Sequence, residues 1–390
     1  MLDPVKAGDI APDPISADLA GGVLTVDLGA LCDNWRTMRA ASGAAECSAV
    51  VKANAYGTGQ GPAVTALRAA GCRTFFVAHP HEAFLARAAA PDATVYVLNG
   101  LPPGAGRRLA SAGVQPVLGS LHELAEWRRE AGDAPAALHI DTGMERLGLT
   151  AREAAGAAAQ GVGQISLVMS HFVASEEPDN SLNDRQIARF TELSALFPGV
   201  RKSLANSSGI WLPQAPHFDL TRPGYGLYGG NPTPNLHPAR PNPMRPVVRL
   251  EARILQLRDI APDDTVGYNA RWRASGQRRI ATLSAGYADG VLRSASVRNT
   301  GAPQTHTRPH TGGAALVAGV LCPFAGNISM DLLAVDVTGV PRDAVQAGDM
   351  VTLIGDGLNV DEVAARCGTI GYETLTSLGQ RYARHYVGAA

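Results

Sequence analysis

From Val23 onward, short apolar runs alternate with stretches in which apolar residues recur every three or four positions. Strand-like runs are predicted at VLTVD (23–27), SAVV (48–51), Thr74–Val77, Thr94–Leu98, Gln115–Leu118, Ala136–Asp141, Ile165–His171 and Lys202–Ala205. Between them lie helix-patterned stretches such as LGALCDNWRTMRAA, HEAFLARAAA, LHELAEWRREA and LNDRQIARFTELSALF. About eight such repeats over some two hundred residues predict an N-terminal (β/α)8 TIM barrel. A doubly wound open sheet competes with it, but no G-x-G-x-x-G follows the first strand, which weakens the dinucleotide-binding form of that alternative.

The pattern changes after Tyr228. GGNPTPNLHPARPNPMRP, residues 229–246, reads as a linker, and VVRLEARILQL, RRIATLS, AALVAGVLC, DLLAVDV and DMVTLIG beyond it read as strands separated by turns. The expected architecture is therefore α/β, a barrel over 21–241 followed by a mainly β domain over 242–390. The Pro-, Asp- and Ala-rich residues 1–20 are expected to be a loose leader outside the fold, and the HTRPH segment near 308 the tip of a hairpin.

At 390 residues, two domains are the default. With 34 basic and 35 acidic residues and no basic block, a small-molecule substrate fits better than nucleic acid or a membrane surface. The five cysteines are an odd number without C-x-x-C spacing, which argues against a disulfide framework or a zinc site and for a cytoplasmic location. No run of 18 apolar residues occurs.

Lys52 stands directly after the β-branched run AVV and before a glycine-punctuated turn. Barrels put their chemistry at the C-terminal ends of strands, and Lys52, Asp141, His171 and Asn206 all follow strand-like runs. A buried lysine loses part of its preference for the charged form, so it serves as an amine nucleophile toward an aldehyde or as a base. A solvated surface lysine is the plain alternative.

AVVKANAYGTG, HIDTGMERLGL, SHF, ANSSG, RPGYGLYG, VGYNARW, SAGYADG, NISMD and GYE follow one another along the chain. In this order they resemble the bacterial, fold-type III alanine racemases, which depend on pyridoxal 5'-phosphate, and the resemblance runs from about Val23 to about Arg381. It implies a homodimer in which each active site is completed by the partner's β-domain, racemising alanine and supplying D-alanine for peptidoglycan. It further implies that Lys52 carries the cofactor and is the base on the face that handles D-alanine, with Tyr268 as the second base on the opposite face. Tyr56, Asn206, Ser207, Gly224, Tyr225 and Tyr372 match cofactor contacts, chiefly to the phosphate. Clustered hydroxyls and backbone N–H groups are what a phosphate needs. Arg222 matches the arginine on the pyridine nitrogen, and a donor-only guanidinium leaves that nitrogen unprotonated. His171 matches the histidine between Arg222 and the second base. Arg146 and the N–H of Met330 match the groups on the substrate carboxylate, and Tyr287 with Tyr372 the inner entrance gate. Apart from the match, Met330 reads as a core residue.

The resemblance departs at His139, where the family often carries a carbamylated lysine that orients the carboxylate-binding arginine. Histidine forms no stable carbamate, so Arg146 is expected to be held by an anion or a nearby carboxylate. A serine more often precedes the tyrosine at Gly267-Tyr268, and a cysteine the methionine at Ser329-Met330; neither change touches the functional atoms. The rival readings are a broad-spectrum amino-acid racemase, a fold-type III decarboxylase, against which Arg222 speaks, and a non-catalytic pyridoxal-phosphate protein, which leaves Tyr268 without a purpose. His79-x-His81 is the closest histidine pair, with no ligand partner at metal spacing, and no metal is expected.

Overall fold

The computed structural model describes residues 15–235, 241–300 and 311–388. The chain divides into two compact units, Asp27–Val247 and Val248–Val387, the second including the residues up to Val26.

In the first unit, Ala49–Val50, Thr74–Val77, Thr94–Val97, Val114–Leu118, Ala136–His139, Ile165–Met169 and Arg201–Ser203 pair in parallel, each with the next. Leu220–Thr221 completes the ring. It pairs in parallel with Glu46–Cys47, which leads into Ala49–Val50. On its other side, Asp219 N–H donates to Lys202 O (3.0 Å) and Arg222 N–H to Ala205 O (2.9 Å). Eight parallel strands thus form the expected (β/α)8 barrel. Helices including Leu28–Ala41, Gln60–Ala69, Pro80–Ala89, Leu121–Ala131, Ala151–Gln160 and Leu182–Ser194 run between the strands. With helices outside and side chains within, Phe75, Phe76, Val77, Val95 and Val97 are fully buried, as strands covered on both faces must be. Polar residues start the helices: Asp27 accepts from Ala30 N–H (2.8 Å), and Thr150 exchanges bonds with Glu153.

One strand expected in the barrel belongs elsewhere. VLTVD lies in Gly22–Asp27, which pairs antiparallel with Val248–Ile260 in the second unit, Val26 opposite Val248 and Gly22 opposite Ala252. Its burial alternates, Leu24 and Val26 inward and Val23 and Thr25 partly exposed, as befits a strand with one covered face. The place it vacates is taken by Leu220–Thr221, a pair too short to register as an apolar run.

The second unit is mainly β. Val248–Ile260 is its spine, pairing with Gly22–Asp27, Arg278–Leu283 and Met350–Ile354, while Ala314–Val317, Val320–Pro323 and Leu333–Asp336 extend the sheet. Two helices, Val360–Cys367 and Gly371–Thr376, follow. The linker's Asn242–Arg245 segment is bonded to the barrel unit, Arg245 N–H donating to Asn34 Oδ1 (2.7 Å) and Asn34 Nδ2 to Arg245 O (2.9 Å). Of the expected leader, residues 1–14 lie outside the described residues, and Ser16–Ala20 form a turn whose Ala17 carbonyl accepts from Arg253 (2.9 Å). The HTRPH segment also lies outside them. Among the described residues, no helix is long and apolar enough to cross a membrane.

Candidate active site

The barrel residues singled out from the sequence sit at one end of the ring, where the strands terminate. Lys52 follows the first strand, His139 ends the fifth, Arg146 follows it, His171 follows the sixth, Asn206 and Ser207 the seventh, and Arg222, Gly224 and Tyr225 the eighth. This is the end at which barrels place their chemistry.

Beyond Lys52 the backbone enters the left-handed region and stays there: Ala53, Asn54, Ala55 and Tyr56 all have φ of 52–53°. Non-glycine residues there cost about 1–2 kcal/mol each, so the turn must be held by its surroundings. Its outcome is placement. The chain reverses at once, and Tyr56 stacks on Tyr228 with ring centroids 4.6 Å apart, while Tyr228 Oη donates to Val50 O (3.0 Å). A Cβ on Gly224 would lie 2.4 Å from the Tyr56 hydroxyl, so only glycine allows that hydroxyl to approach the backbone. Ser207 Oγ accepts from the N–H groups of Gly224 (2.9 Å) and Gly226 (3.2 Å). Hydroxyls of Tyr56 and Ser207 and the amides of the Gly224 turn therefore converge, and this donor set fits a phosphate.

Arg222 is buried and spans the barrel end. Nη1 donates to Ser203 Oγ and Nη2 to Ser170 O (2.6 Å) and Leu204 O (3.3 Å), and among the described residues Nε makes no bond. Burial weakens its hold on its proton, yet a guanidinium remains charged near neutrality. Asn206 Oδ1 is occupied by Gly209 N–H (2.8 Å) and Ser175 Oγ (2.9 Å), so it braces the loop that presents Ser207.

The site is strongly cationic. Burial, then the charge of Arg146, lowers the Lys52 amine, with Glu82 pulling the other way. Burial, with Arg222, Lys52 and Arg146 behind it, lowers His171 to about 3. Burial and Arg222 take His139 to about 4, against the opposing charge of Asp141. Both imidazoles are neutral at pH 7 when folded, but unfolded they titrate near 6.5. Between about 6.5 and 4 the unfolded chain binds protons the folded chain refuses, so stability rises with pH through that window and falls on acidification. Thermal melts at about pH 7 and pH 5 should show this fall, and His139→Gln should shrink it. An unchanged difference in that variant would contradict a buried, neutral His139.

Of the anion or carboxylate expected to hold Arg146, no carboxylate takes that place among the described residues. Among the described residues Arg146 forms no ion pair. The nearby acid, Asp141, spends its oxygens on the N–H groups of Gly143 (2.9 Å), Met144 (2.9 Å) and Glu145 (3.1 Å).

The other candidates lie in the second unit. Tyr268 stands between the paired strands Thr265–Val266 and Trp272–Arg273, and Trp272 buries beside Ala274, Ile280 and Ala325 to anchor that hairpin. Tyr268 itself is 68 % exposed, and its carbonyl accepts from Asn327 Nδ2 (2.9 Å), which ties it to the loop carrying Met330. Tyr287 N–H donates to Ser329 O and Ala288 N–H to Met330 O (3.0 Å each), so Tyr287 and Met330 are neighbours. Met330, read from sequence as core, is 54 % exposed; its backbone is held in place while its side chain stays out. Asp289 fixes this turn, accepting from Gly286 N–H (2.9 Å) and from Arg381 at both oxygens (2.7 and 2.8 Å). Tyr372 lies in the helix Gly371–Thr376.

Asn327, Asp289 and Glu82 support site residues and were missed in the sequence. A capping-box spacing at His79–Glu82 was the available signal for the last.

Fold and site together define a two-unit barrel protein with an uncharged-prone amine and an anion cradle at its strand ends. The pattern of the family described as alanine racemase, N-terminal domain, matches residues 26–232, and that of alanine racemase, C-terminal domain, matches 247–386. An alanine racemase of Methylobacterium nodulans is 54 % identical over 374 residues, 94 % of this chain and 96 % of the relative. The structure of alanine racemase from Bartonella henselae with covalently bound pyridoxal phosphate is 37 % identical. It superposes with a TM-score of 0.85, covering 94 % of this chain and 100 % of that one. The biosynthetic enzyme of Pseudomonas aeruginosa is 35 % identical with a TM-score of 0.84, over 94 % and 99 % of the two chains. The chain belongs to the alanine racemase family.

Proposed function

We propose that the chain interconverts L- and D-alanine with pyridoxal phosphate held covalently at Lys52. The observation that carries this reading is the strand-end amine of Lys52, its charged form disfavoured by burial and Arg146, beside a hydroxyl-and-amide cradle that fits the cofactor's phosphate.

When bound, pyridoxal phosphate supplies an electron-withdrawing ring that weakens the Cα–H bond of an attached amino acid. Ser207, the N–H groups of Gly224 and Tyr225, and the hydroxyls of Tyr56 and Tyr372 would hold its phosphate, with Asn206 bracing the Ser207 loop. Arg222 has only donors to offer a ring nitrogen and would keep a proton off it, which would draw less charge away from Cα and favour reprotonation there over side reactions. Arg146 and the Met330 N–H bind the substrate carboxylate. In this reading Lys52 Nζ and Tyr268 Oη would serve as the two bases at Cα, one removing the proton and the other returning one, so that either enantiomer would be inverted. His171, held neutral by burial with the charges of Arg222 and Lys52 behind it, would offer the tyrosine base a hydrogen-bonding partner. Tyr287 and Tyr372 narrow the entrance, which favours a methyl side chain.

Tyr268 is supplied by a second subunit in this reading. Tyr268, Met330 and Tyr287 (43 % exposed) are large side chains left open on anchored loops, as residues awaiting a partner are. The setting is the cytoplasm, and the product is D-alanine for peptidoglycan. A broad-spectrum racemase remains the second reading because His139 alters the surroundings of Arg146.

Purified protein loaded with pyridoxal phosphate should convert L-alanine to an equal mixture of enantiomers, and in deuterated water the product should carry deuterium at Cα. A product of inverted configuration with no solvent deuterium would refute proton exchange at that carbon by two solvent-linked bases. A faster reaction with bulky amino acids than with alanine would select the second reading.

A further inference from the structure

The left-handed turn after Lys52 carries several bonds among its own residues. Ala55 N–H donates to Val51 O (3.0 Å), Gly57 N–H to Ala53 O (2.9 Å), Gly59 N–H to Asn54 O (2.9 Å) and Gln60 N–H to Asn54 Oδ1 (2.8 Å). Bonds of that kind travel with the segment and do not aim it. Ala53 N–H, directly after the lysine, reaches outside the turn and donates to Glu82 Oε1 at 2.6 Å. Glu82 is buried at the start of the helix Pro80–Ala89, and its other oxygen accepts from Ala78 N–H (2.7 Å) and His79 N–H (3.0 Å). Gln60 Nε2 closes the contact by donating to the Glu82 carbonyl (2.8 Å).

Half of this is ordinary helix capping. The barrel repeats the device at Glu123, which accepts from Gly119 N–H (2.7 Å) with one oxygen and from Leu101 N–H (2.9 Å), on the preceding strand-to-helix loop, with the other. At Glu123 the loop so held carries no site residue. At Glu82 it carries Lys52 and Tyr56, on a backbone that L-residues adopt only when something compels them. A carboxylate accepting from a backbone N–H is among the stronger hydrogen bonds.

We propose that Glu82 is a positioning residue for the lysine site, its carboxylate pinning the Ala53 N–H so that the left-handed turn presents Lys52 and Tyr56 together at the barrel end. The proposal rests on the reading of Lys52 as cofactor lysine and base. It also agrees with the electrostatics, since Glu82 is the group that opposes burial and Arg146 at the Lys52 amine. Glutamine keeps a single acceptor oxygen, so E82Q can satisfy the helix start or Ala53 but not both.

The test compares E82Q, E82Q/A53G, E123Q and K52A. In cofactor-free protein, amide hydrogen exchange of the 52–59 peptide should accelerate about tenfold or more in E82Q and stay unchanged in E123Q. Titration with pyridoxal phosphate, followed by absorbance, should show a dissociation constant raised about tenfold in E82Q, and in the loaded protein kcat should fall more than KM changes. Glycine at 53 adopts positive φ without strain, so A53G should return part of the affinity and of kcat in the E82Q background. A change confined to overall melting temperature, equal exchange acceleration in E123Q, or no recovery with A53G would overturn the proposal. If E82Q does not fold, E82D, which keeps the charge and shortens the reach, is measured in its place with the same expectations. Full activity in K52A would instead defeat the reading of the lysine itself, whatever Glu82 does.

Discussion

Lys52→Ala is expected to lower racemisation by about 10⁴-fold or more, because one substitution removes both the covalent anchor of the cofactor and one of the two proton-transfer groups. The amine sits where an aldehyde-binding nucleophile is needed, and its surroundings favour the uncharged form that attacks. Its neighbours cannot substitute for it: Arg222 keeps its proton near neutrality, and burial holds His139 and His171 far below the range of an effective base. Borohydride reduction of the loaded wild-type protein followed by peptide mapping should place the pyridoxyl label on Lys52. Label on Lys6 or Lys202, or a Lys52→Ala protein that remains yellow and active, would remove the foundation of the proposed mechanism. Stability should change little, since Lys52 makes no ion pair among the described residues.

Much of the barrel was legible because parallel strands covered by helices are short, apolar and regularly spaced, and seven of the eight predicted runs lie where barrel strands form. The exception is instructive. VLTVD and the barrel strands look alike as apolar runs, and what separates them is pairing: antiparallel against Val248–Ile260, a partner more than two hundred residues away. Local pattern carries no such information, whereas the alternation of buried and half-buried positions along Gly22–Asp27 does agree with the outcome. Leu220–Thr221 was invisible for the opposite reason, being a strand made by its neighbours' hydrogen bonds and not by its own composition.

The site shows the same division. Side chains with distinctive chemistry, Lys52, Arg222, His171 and the Ser207 cradle, could be named from motifs, and the fold brings them to one barrel end. Supporting groups could not. Glu82 reads as one more helix-start glutamate, and nothing in KANAY announces four residues of left-handed backbone, since alanine, asparagine and tyrosine favour the right-handed form. Arg146 was expected to be held by an anion or a nearby carboxylate because a cation at a binding site needs orientation. Asp141, the one acid of its motif close to His139, instead caps three backbone N–H groups, and among the described residues the guanidinium has no ion-pair partner.

Mixing two inactive variants, Lys52→Ala and Tyr268→Phe, is expected to restore activity. If each site takes its lysine from one subunit and its tyrosine from the other, a mixed dimer has one site with both bases and one with neither. Random exchange of equal amounts makes half the dimers mixed, so recovery should approach about one quarter of wild-type activity. The exposed tip of the Thr265–Arg273 hairpin motivates this. Trp272 and Asn327 hold its base while Tyr268 stands 68 % exposed. Phenylalanine at 268 preserves the ring and removes only the hydroxyl, so the variant should fold and assemble like the parent. Its recovery therefore reports on which subunit supplies the base. Subunit exchange would be confirmed by mass spectrometry of an isotope-labelled partner before activity is read. Confirmed exchange without any recovery would mean that Lys52 and Tyr268 act within one chain or that Tyr268 is not a base, and single-turnover solvent-deuterium exchange from each enantiomer in Tyr268→Phe separates the two. A lost base blocks proton removal from one enantiomer and spares the other, whereas a tyrosine with no catalytic part leaves both unchanged.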